Sequence, residues 1–432
     1  MTSPVLIAPV ARLTITRSPR SRSEPLLFYA TVGLLLFGPL AFGAVEPWAV
    51  FMLEAGAAVI FVCWAMGQAA SHQLQITGNA LFAPASTFVL LIGLQLWTGQ
   101  TVYPAQTFSA ALLYLAYGAI CFLVLQVVRA NAHFARLAWI LSGYGLVVAI
   151  FSLAQGFTSE GKVYWLVAPH FGGWIYGPYV NHNHYAGLME MLVPIPLVIL
   201  LLPHLPPSRK AMAGLAASVM ASTIFLCGSR GGMIAFAMQI VLLTSLCITR
   251  KATRKTALAL ASFVLIAFGL ALWLGGREVA QRLATVHRAT GLSSNTRLNI
   301  DRDALKMFLQ KPLLGYGLGN FAEVYPQFRS FSTDLWVDHA HNDYLELLVE
   351  TGALGFATML WFLVVLGRLA IRKLKSWPHD PDAAITLAPV LGATGILLHS
   401  FVDFNLHIPA NAALFYVLCV VATRNRSSAF DH

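Results

Sequence analysis

Residues 339–371 read HAHNDYLELLVETGALGFATMLWFLVVLGRLAI. Two histidines and an acid, His339, His341 and Asp343, stand at the threshold of a long apolar run. A helix needs roughly 17–25 apolar residues to cross a bilayer core, and this run is long enough. Ionisable groups at such a boundary are costly unless paired or hydrated, so they are functional candidates by default. The same alternation of apolar run and polar junction repeats along the chain. With 57% hydrophobic and 11% charged residues over 432 positions, the sequence describes a polytopic membrane protein and not a soluble one.

Apolar runs fall at 26–43, 48–68, 80–98, 107–128, 134–155, 184–204, 210–227, 230–248, 255–274, 343–369, 384–401 and 407–423. The expected fold is therefore all-α, with about twelve transmembrane helices. Tight connections predict antiparallel hairpins for 210–227 with 230–248 and for 384–401 with 407–423. Net charge is +10, but the basic residues cluster between apolar runs. That is the orientation signal of membrane proteins and not a nucleic-acid footprint. With the N-terminus inside, 18 of the 28 Lys and Arg residues fall in inner segments. Eight of the other ten lie in one long outer loop, which translocates largely regardless of charge. The organisation this predicts is an inner arm (1–25), helices one to nine (26–274), an outer loop or lid (275–342), helices ten to twelve (343–423) and an inner tail (424–432). The arm carries Arg12, Arg17, Arg20 and Arg22 and precedes a retained first span, because no small-residue cleavage site follows that span. The five cysteines (Cys63, Cys121, Cys227, Cys247, Cys419) have no metal-ligand spacing.

Five polar motifs fall on the outer side. Asn181-His182-Asn183-His184-Tyr185 precedes the sixth span, and Gly228-Ser229-Arg230-Gly231-Gly232 joins spans seven and eight. The long loop carries Arg297 and the run Pro312–Phe321. The last two are the opening histidine cluster and His399–His407. Within the loop, residues 296–310 read as an amphipathic helix burying Leu298, Leu305, Phe308 and Leu309, capped by Asn295 or Thr296 and ended by Pro312. An earlier helix is expected at 277–289. Helices this short need a surface to cover, so the loop reads as a lid over the membrane domain.

Each motif has a plain alternative. Tight turns account for the glycines of Gly315–Asn320, which lack the preceding strand of a dinucleotide site. Asn181–His184 reads equally as a wet interfacial loop. His182, His184, His339, His341 and Asp343 have metal-ligand chemistry, but neighbouring arginines oppose a cation, and no metal is expected. Arg230 either snorkels or grips an anion, with the adjacent glycines letting the anion approach the backbone. Arg297 supplies a second guanidinium fork. Glu54, Glu190, Glu346 and Glu350 read as interhelical polar packing, although one could orient a histidine.

Taken in order, Gly228–Gly232, Arg297 with Pro312–Phe321, and His339–Glu346 resemble the O-antigen ligase and polymerase superfamily of bacterial envelope glycosyltransferases, over roughly residues 170–370. The resemblance implies a multi-pass inner-membrane enzyme with a large periplasmic loop and a site facing the periplasm. It implies transfer of a glycan from an undecaprenyl-pyrophosphate donor to a hydroxyl of lipid A-core or of a polysaccharide. The transfer would invert the anomeric carbon and need neither metal nor cofactor. The family's arginines correspond to Arg230 and Arg297 and its essential histidine to His341. On this reading Arg230 and Arg297 hold the pyrophosphate and His341 is the base. His339, Asp343, His182 and His184 orient the base or line the acceptor channel, with Asn181, Tyr185 and Asn342 as further lining residues. The expected partners are the lipid-linked donor, the acceptor and the bilayer, with no nucleic acid. Polymerisation and transfer to protein hydroxyls are rivals within the family. A transporter of polyprenyl-linked glycans is the rival outside it, but transporters place polar groups near the bilayer midplane, not at one interface.

Overall fold

A computed structural model describes residues 24–72, 74–168, 175–250, 253–285, 294–333, 336–377 and 380–424. The protein is all-helical, and the described residues contain only two isolated β-bridges and no strand. The N-terminal half comprises α1 (Glu24–Leu40), α2 (Pro47–Ser71), α3 (Phe82–Trp97), α4 (Pro104–Val127) and α5 (Asn131–Thr158). The centre comprises α6 (His182–Leu192), α7 (Pro194–Leu201), α8 (Pro207–Leu226), α9 (Arg230–Thr249) and α10 (Arg254–Thr285). Then come α11 (Ser294–Gln310), α12 (Phe321–Val324), α13 (Asp343–Leu374), α14 (Pro381–His399) and α15 (Pro409–Thr423).

Among the described residues, seven segments are long and apolar enough to cross a membrane: Pro47–Ser71, Pro104–Val127, Asn131–Thr158, His182–Leu201, Arg230–Thr249, Arg254–Gly275 and Asp343–Leu374. Four shorter apolar helices accompany them, at Pro25–Leu40, Phe82–Trp97, Ala383–His399 and Pro409–Thr423. Burial separates a central post from a lipid-facing ring. His182–Leu201 is 94% buried, whereas Pro47–Ser71 and Asp343–Leu374 are each 22% buried. A helix hydrophobic all round belongs inside, and α7 is one, while α6 is buried with its polar Glu190 partnered by His399. Around it pack α8, α9, α14 and α15. The α14–α15 hairpin forms as expected, but α8 packs mainly on α10, and α9 leans instead on α14.

One end of the bundle gathers basic side chains. Lys373 Nζ donates to the Ala422 carbonyl (3.1 Å), and Arg424 Nη2 to Asn131 Oδ1 (2.8 Å). Because α13 and α15 both run towards this end, their first residues lie at the other one, with the polar motifs.

The expected loop helix exists, but it buries a different face. Ile300, Ala304 and Met307 are fully buried against Tyr316, Phe321, Tyr325 and Val349. Of the face expected to be buried, Phe308 packs against this cluster, but Leu298, Leu305 and Leu309 are about half exposed or more. The helix thus carries two apolar stripes, and the one formed by Ile300, Ala304 and Met307 faces the cluster. It starts at Ser294, ahead of the expected caps. Residues 277–285 continue α10 rather than forming a separate helix, and 286–293 lie outside the described residues, as do most of the N-terminal arm and the tail beyond Arg424.

The glycine-rich run after α11 is built into a break in α13. Gly352 interrupts that helix at φ 64°, ψ −169°, a conformation that essentially only glycine adopts. The hydrogen bonds lost at the break are remade by the loop: Tyr316 N donates to Val349 O (3.1 Å), Gly317 N to Glu350 O (2.9 Å) and Ala353 N to Pro312 O (2.8 Å). Gln95 of α3 reinforces the joint from behind, donating to Leu314 O and Glu350 O. Irregular backbone in a membrane protein is tolerated where protein satisfies it in this way. A Cβ at Gly352 would lie 2.3 Å from the Leu313 carbonyl oxygen. Gly352→Ala is therefore expected to cost about 1–3 kcal/mol in backbone strain alone. Its unfolding temperature in detergent should fall, while Gly367→Ala, with open space around the new methyl, should not lower it.

Candidate active site

The turn between α14 and α15, residues 399–407, is where the polar motifs meet. His399, Ser400, Asp403 and Asn405 are buried within it. Asn411 Nδ2 donates both to Asn405 Oδ1 (3.0 Å) and to the His184 carbonyl (2.9 Å), tying the turn to α6. Asp343 N donates to the Ser400 carbonyl (3.0 Å) and Tyr344 Oη to the Leu397 carbonyl (2.6 Å), tying it to the start of α13. Phe404 is the packing centre for three imidazoles. His339 stacks on it at 4.1 Å between centroids, and His341 and His184 meet it edge-on at 5.0 and 4.7 Å.

His341 stands at φ +55°, an uncommon conformation for a residue with a side chain. Its Nδ1 lies 3.5 Å from Asp403 Oδ1, an ion-pair contact rather than a formed hydrogen bond. Neither Asp403 oxygen has a hydrogen-bond partner among the described residues, although the carboxylate is 1% exposed. Burial would raise its pKa, but His341 and the imidazole of His399, 3.9 Å away, hold it well below the usual carboxylate range. Asp403 is thus a buried anion beside a partly exposed imidazole, and buried polar groups left unsatisfied often mark function. A carboxyl whose pKa falls on folding stabilises the fold above its unfolded value near about 3.9, and loses that contribution as pH drops through the folded value. Asp403→Asn is therefore expected to be less stable than wild type at neutral pH, with the gap closing only below about pH 4. Thermal unfolding across pH measures it, and a gap that stays constant down to acid denaturation would show that Asp403 is not held ionised.

Behind this pair, His399 Nδ1 contacts Glu190 Oε1 of α6 at 2.9 Å, and its Nε2 lies 3.5 Å from Ser229 Oγ. Ser229 caps α9, accepting from Gly232 N (3.1 Å), and places Arg230 as the exposed first residue of that helix. The glycines after it have a packing role: a Cβ on Gly231 would fall 2.6 Å from the His399 ring, and one on Gly232 3.0 Å from Glu190 Oε1. Arg297 reaches the same turn from α11, its Nη1 donating to the Val402 carbonyl (3.2 Å).

A second cluster lies on the other side of Phe404. His339 Nδ1 contacts Glu346 Oε1 (2.7 Å), whose Oε2 accepts from Ala340 N (2.8 Å). His407 Nδ1 contacts Asp343 Oδ1 (2.7 Å) and its Nε2 lies 3.3 Å from Glu346 Oε1. Burial opposes charge on His407, but Glu346 and the hydrogen bond with Asp343 outweigh it and push its pKa up to about 10. Asp343 therefore serves His407, and the carboxylate beside His341 is Asp403.

The remaining expected residues divide. His184 reaches the site, with Nε2 buried and unpartnered among the described residues, and His182 begins the same helix. Asn181 and Asn342 act as helix caps: the first accepts from Asn183 N, the second from Tyr344 N and Leu345 N. Tyr185 is in the core, its hydroxyl donating to Thr223 Oγ1 (2.8 Å). Asp403, His399, Glu190, Glu346 and His407 were not assigned site roles from sequence. Their signal was the polar run His399–His407 and two acids inside apolar spans.

These features define a class: a multi-pass membrane protein whose arginines and histidines converge on one turn at one end of a helical bundle. Residues 215–360 match the model of a family described as O-antigen ligase. The match covers Gly228–Gly232, Arg297, Pro312–Phe321 and His339–Glu346, and over this segment the chain is similar to that family. No curated protein matches the chain. The 399–407 turn and α6 lie outside the matched segment.

Proposed function

We propose that the protein is a glycosyltransferase of the inner membrane, moving a glycan from an undecaprenyl-pyrophosphate donor to an acceptor hydroxyl of lipid A-core or of a polysaccharide. The observation that carries this reading is the 399–407 turn, which brings Arg297, the His341–Asp403 pair and the α9 terminus bearing Arg230 to one place. The bundle has about twelve spans, residues 275–342 face the periplasm, and the basic end faces the cytoplasm, in keeping with the positive-inside rule.

Arg230 and Arg297 hold the pyrophosphate as bidentate partners that stay charged. The N-terminus of α9, which Arg230 opens, adds the positive end of the helix dipole. With Nδ1 facing Asp403, His341 presents Nε2 to the acceptor hydroxyl. The acceptor oxygen bonds to the anomeric carbon, its proton passes to His341 Nε2, and the bond from that carbon to the pyrophosphate oxygen breaks. Undecaprenyl pyrophosphate leaves with the electron pair, and the anomeric centre inverts. Asp403 steadies the imidazolium that forms, as a buried acid does behind a catalytic histidine. His184 and His182 border the acceptor approach.

A cavity of about 750 Å³ runs between α3, α4, α13 and α15, lined by Phe88, Tyr114, Phe122, Phe362 and Tyr416, and reaches Asp343 and His407 at one end. Its apolar walls suit a lipid chain whose head group sits at the site. Purified protein given the donor together with lipid A-core is expected to form ligated glycolipid, and given donor alone a ladder of lengthened glycans if it polymerises. Neither product from an intact, folded preparation would overturn the reading.

A further inference from the structure

His339, Glu346 and His407 point three ligand atoms at one spot. These atoms all lie within 4.8 Å of one another. His339 Nδ1 and His407 Nε2 both approach Glu346 Oε1, at 2.7 and 3.3 Å. Ligand atoms around an ion bound at about 2.0–2.2 Å are separated by about 3.0–3.5 Å, so little closure is needed. The groups behind them are arranged as metal sites require. Asp343 Oδ1 engages His407 Nδ1, which keeps that nitrogen protonated and leaves Nε2 as the one to give up its proton to an incoming ion, and Asp343 Oδ2 is itself held by Leu406 N (3.1 Å). Ala340 N holds Glu346 Oε2, leaving Oε1 free to face inwards. Glu346 and Asp343 are nearly buried at 1% and 4%, while His339 and His407 are each about a quarter exposed, so an ion has a way in. Two buried carboxylates also require a compensating charge.

We propose that His339, Glu346 and His407 bind one divalent transition-metal ion, with Asp343 orienting His407. Two imidazoles and one carboxylate with open positions suit Zn²⁺ and neighbouring first-row ions. The ion would clamp the segment 339–342 to the 405–407 turn and so hold the strained backbone of His341, two residues from His339. Glycosyl transfer is not assumed in this inference.

The test is metal content. Protein purified without a polyhistidine tag is stripped with chelator, dialysed against Zn²⁺ and washed, and bound zinc is measured by mass spectrometry. One equivalent per chain is expected, with Co²⁺ giving ligand-field absorption bands in its place. Glu346→Gln and His407→Gln should lose the ion. Asp343→Asn should weaken binding by about 10–100-fold, and the exposed His72→Ala should bind as wild type does. Wild type retaining under about a tenth of an equivalent, a result that needs no variant to fold, would overturn the proposal. So would Glu346→Gln and His407→Gln both retaining the full equivalent. In either case His407 would be an imidazolium bridging two carboxylates.

Discussion

His341→Ala is expected to reduce glycan transfer by about 10²–10⁴-fold, the usual contribution of a positioned general base. In the proposed reaction the leaving group is a pyrophosphate and needs no acid, so the proton on the incoming hydroxyl is the one that must be removed. His341 is partly exposed and has the buried Asp403 carboxylate near Nδ1, in the same turn that Arg297 reaches. The loss should appear in kcat, with donor binding retained, because the arginines are untouched. The cap at Asn342 does not involve the imidazole, and Phe404 keeps its contacts with His184 and His339, so the variant should insert and fold. Retained transfer in a folded His341→Ala protein would remove His341 from the chemistry.

The second large effect belongs to the arginines. Removing one positioned donor from a developing anion costs about 10²–10³-fold in rate. Arg230→Ala and Arg297→Ala should each fall in this range, and unlike His341→Ala they should also weaken donor binding. Lysine should restore Arg230 better than Arg297. Arg230 is an exposed leading residue of α9, whereas Arg297 divides its guanidinium between the anion and the Val402 carbonyl, which a lysine cannot do from one point. Donor affinity measured separately from turnover distinguishes these roles. Equal loss of turnover in both alanine variants with unchanged donor affinity would mean that neither holds the pyrophosphate.

Much of the helical plan was legible because apolar runs of membrane length are a strong signal, and the runs at 48–68, 134–155 and 255–274 each lie within one long helix. The buried face of α11 was not. Leu298, Leu305 and Leu309 are the stronger apolar stripe by composition, yet Ile300, Ala304 and Met307 make the contact with Tyr316, Phe321, Tyr325 and Val349. Asp343 looked like the partner of His341 because it is two residues away. The actual neighbour, Asp403, is sixty residues later and enters through the α14–α15 turn, a contact that no local spacing encodes. The glycines after Arg230 suggested room for an anion, but they make room for His399 and Glu190. The polar run His399–His407 was visible as a motif, and only packing shows it as the hub for His184, Arg297, His339 and His341.

The decisive measurement is stoichiometry in proteoliposomes that hold undecaprenyl-pyrophosphate glycan and an acceptor lipid. Direct displacement requires one free undecaprenyl pyrophosphate for each new glycosidic bond, formed on the leaflet that carries the donor and abolished by His341→Ala. Donor that moves between leaflets with its pyrophosphate–sugar bond intact, and with no new bond formed, would make the protein a transporter and contradict the assignment.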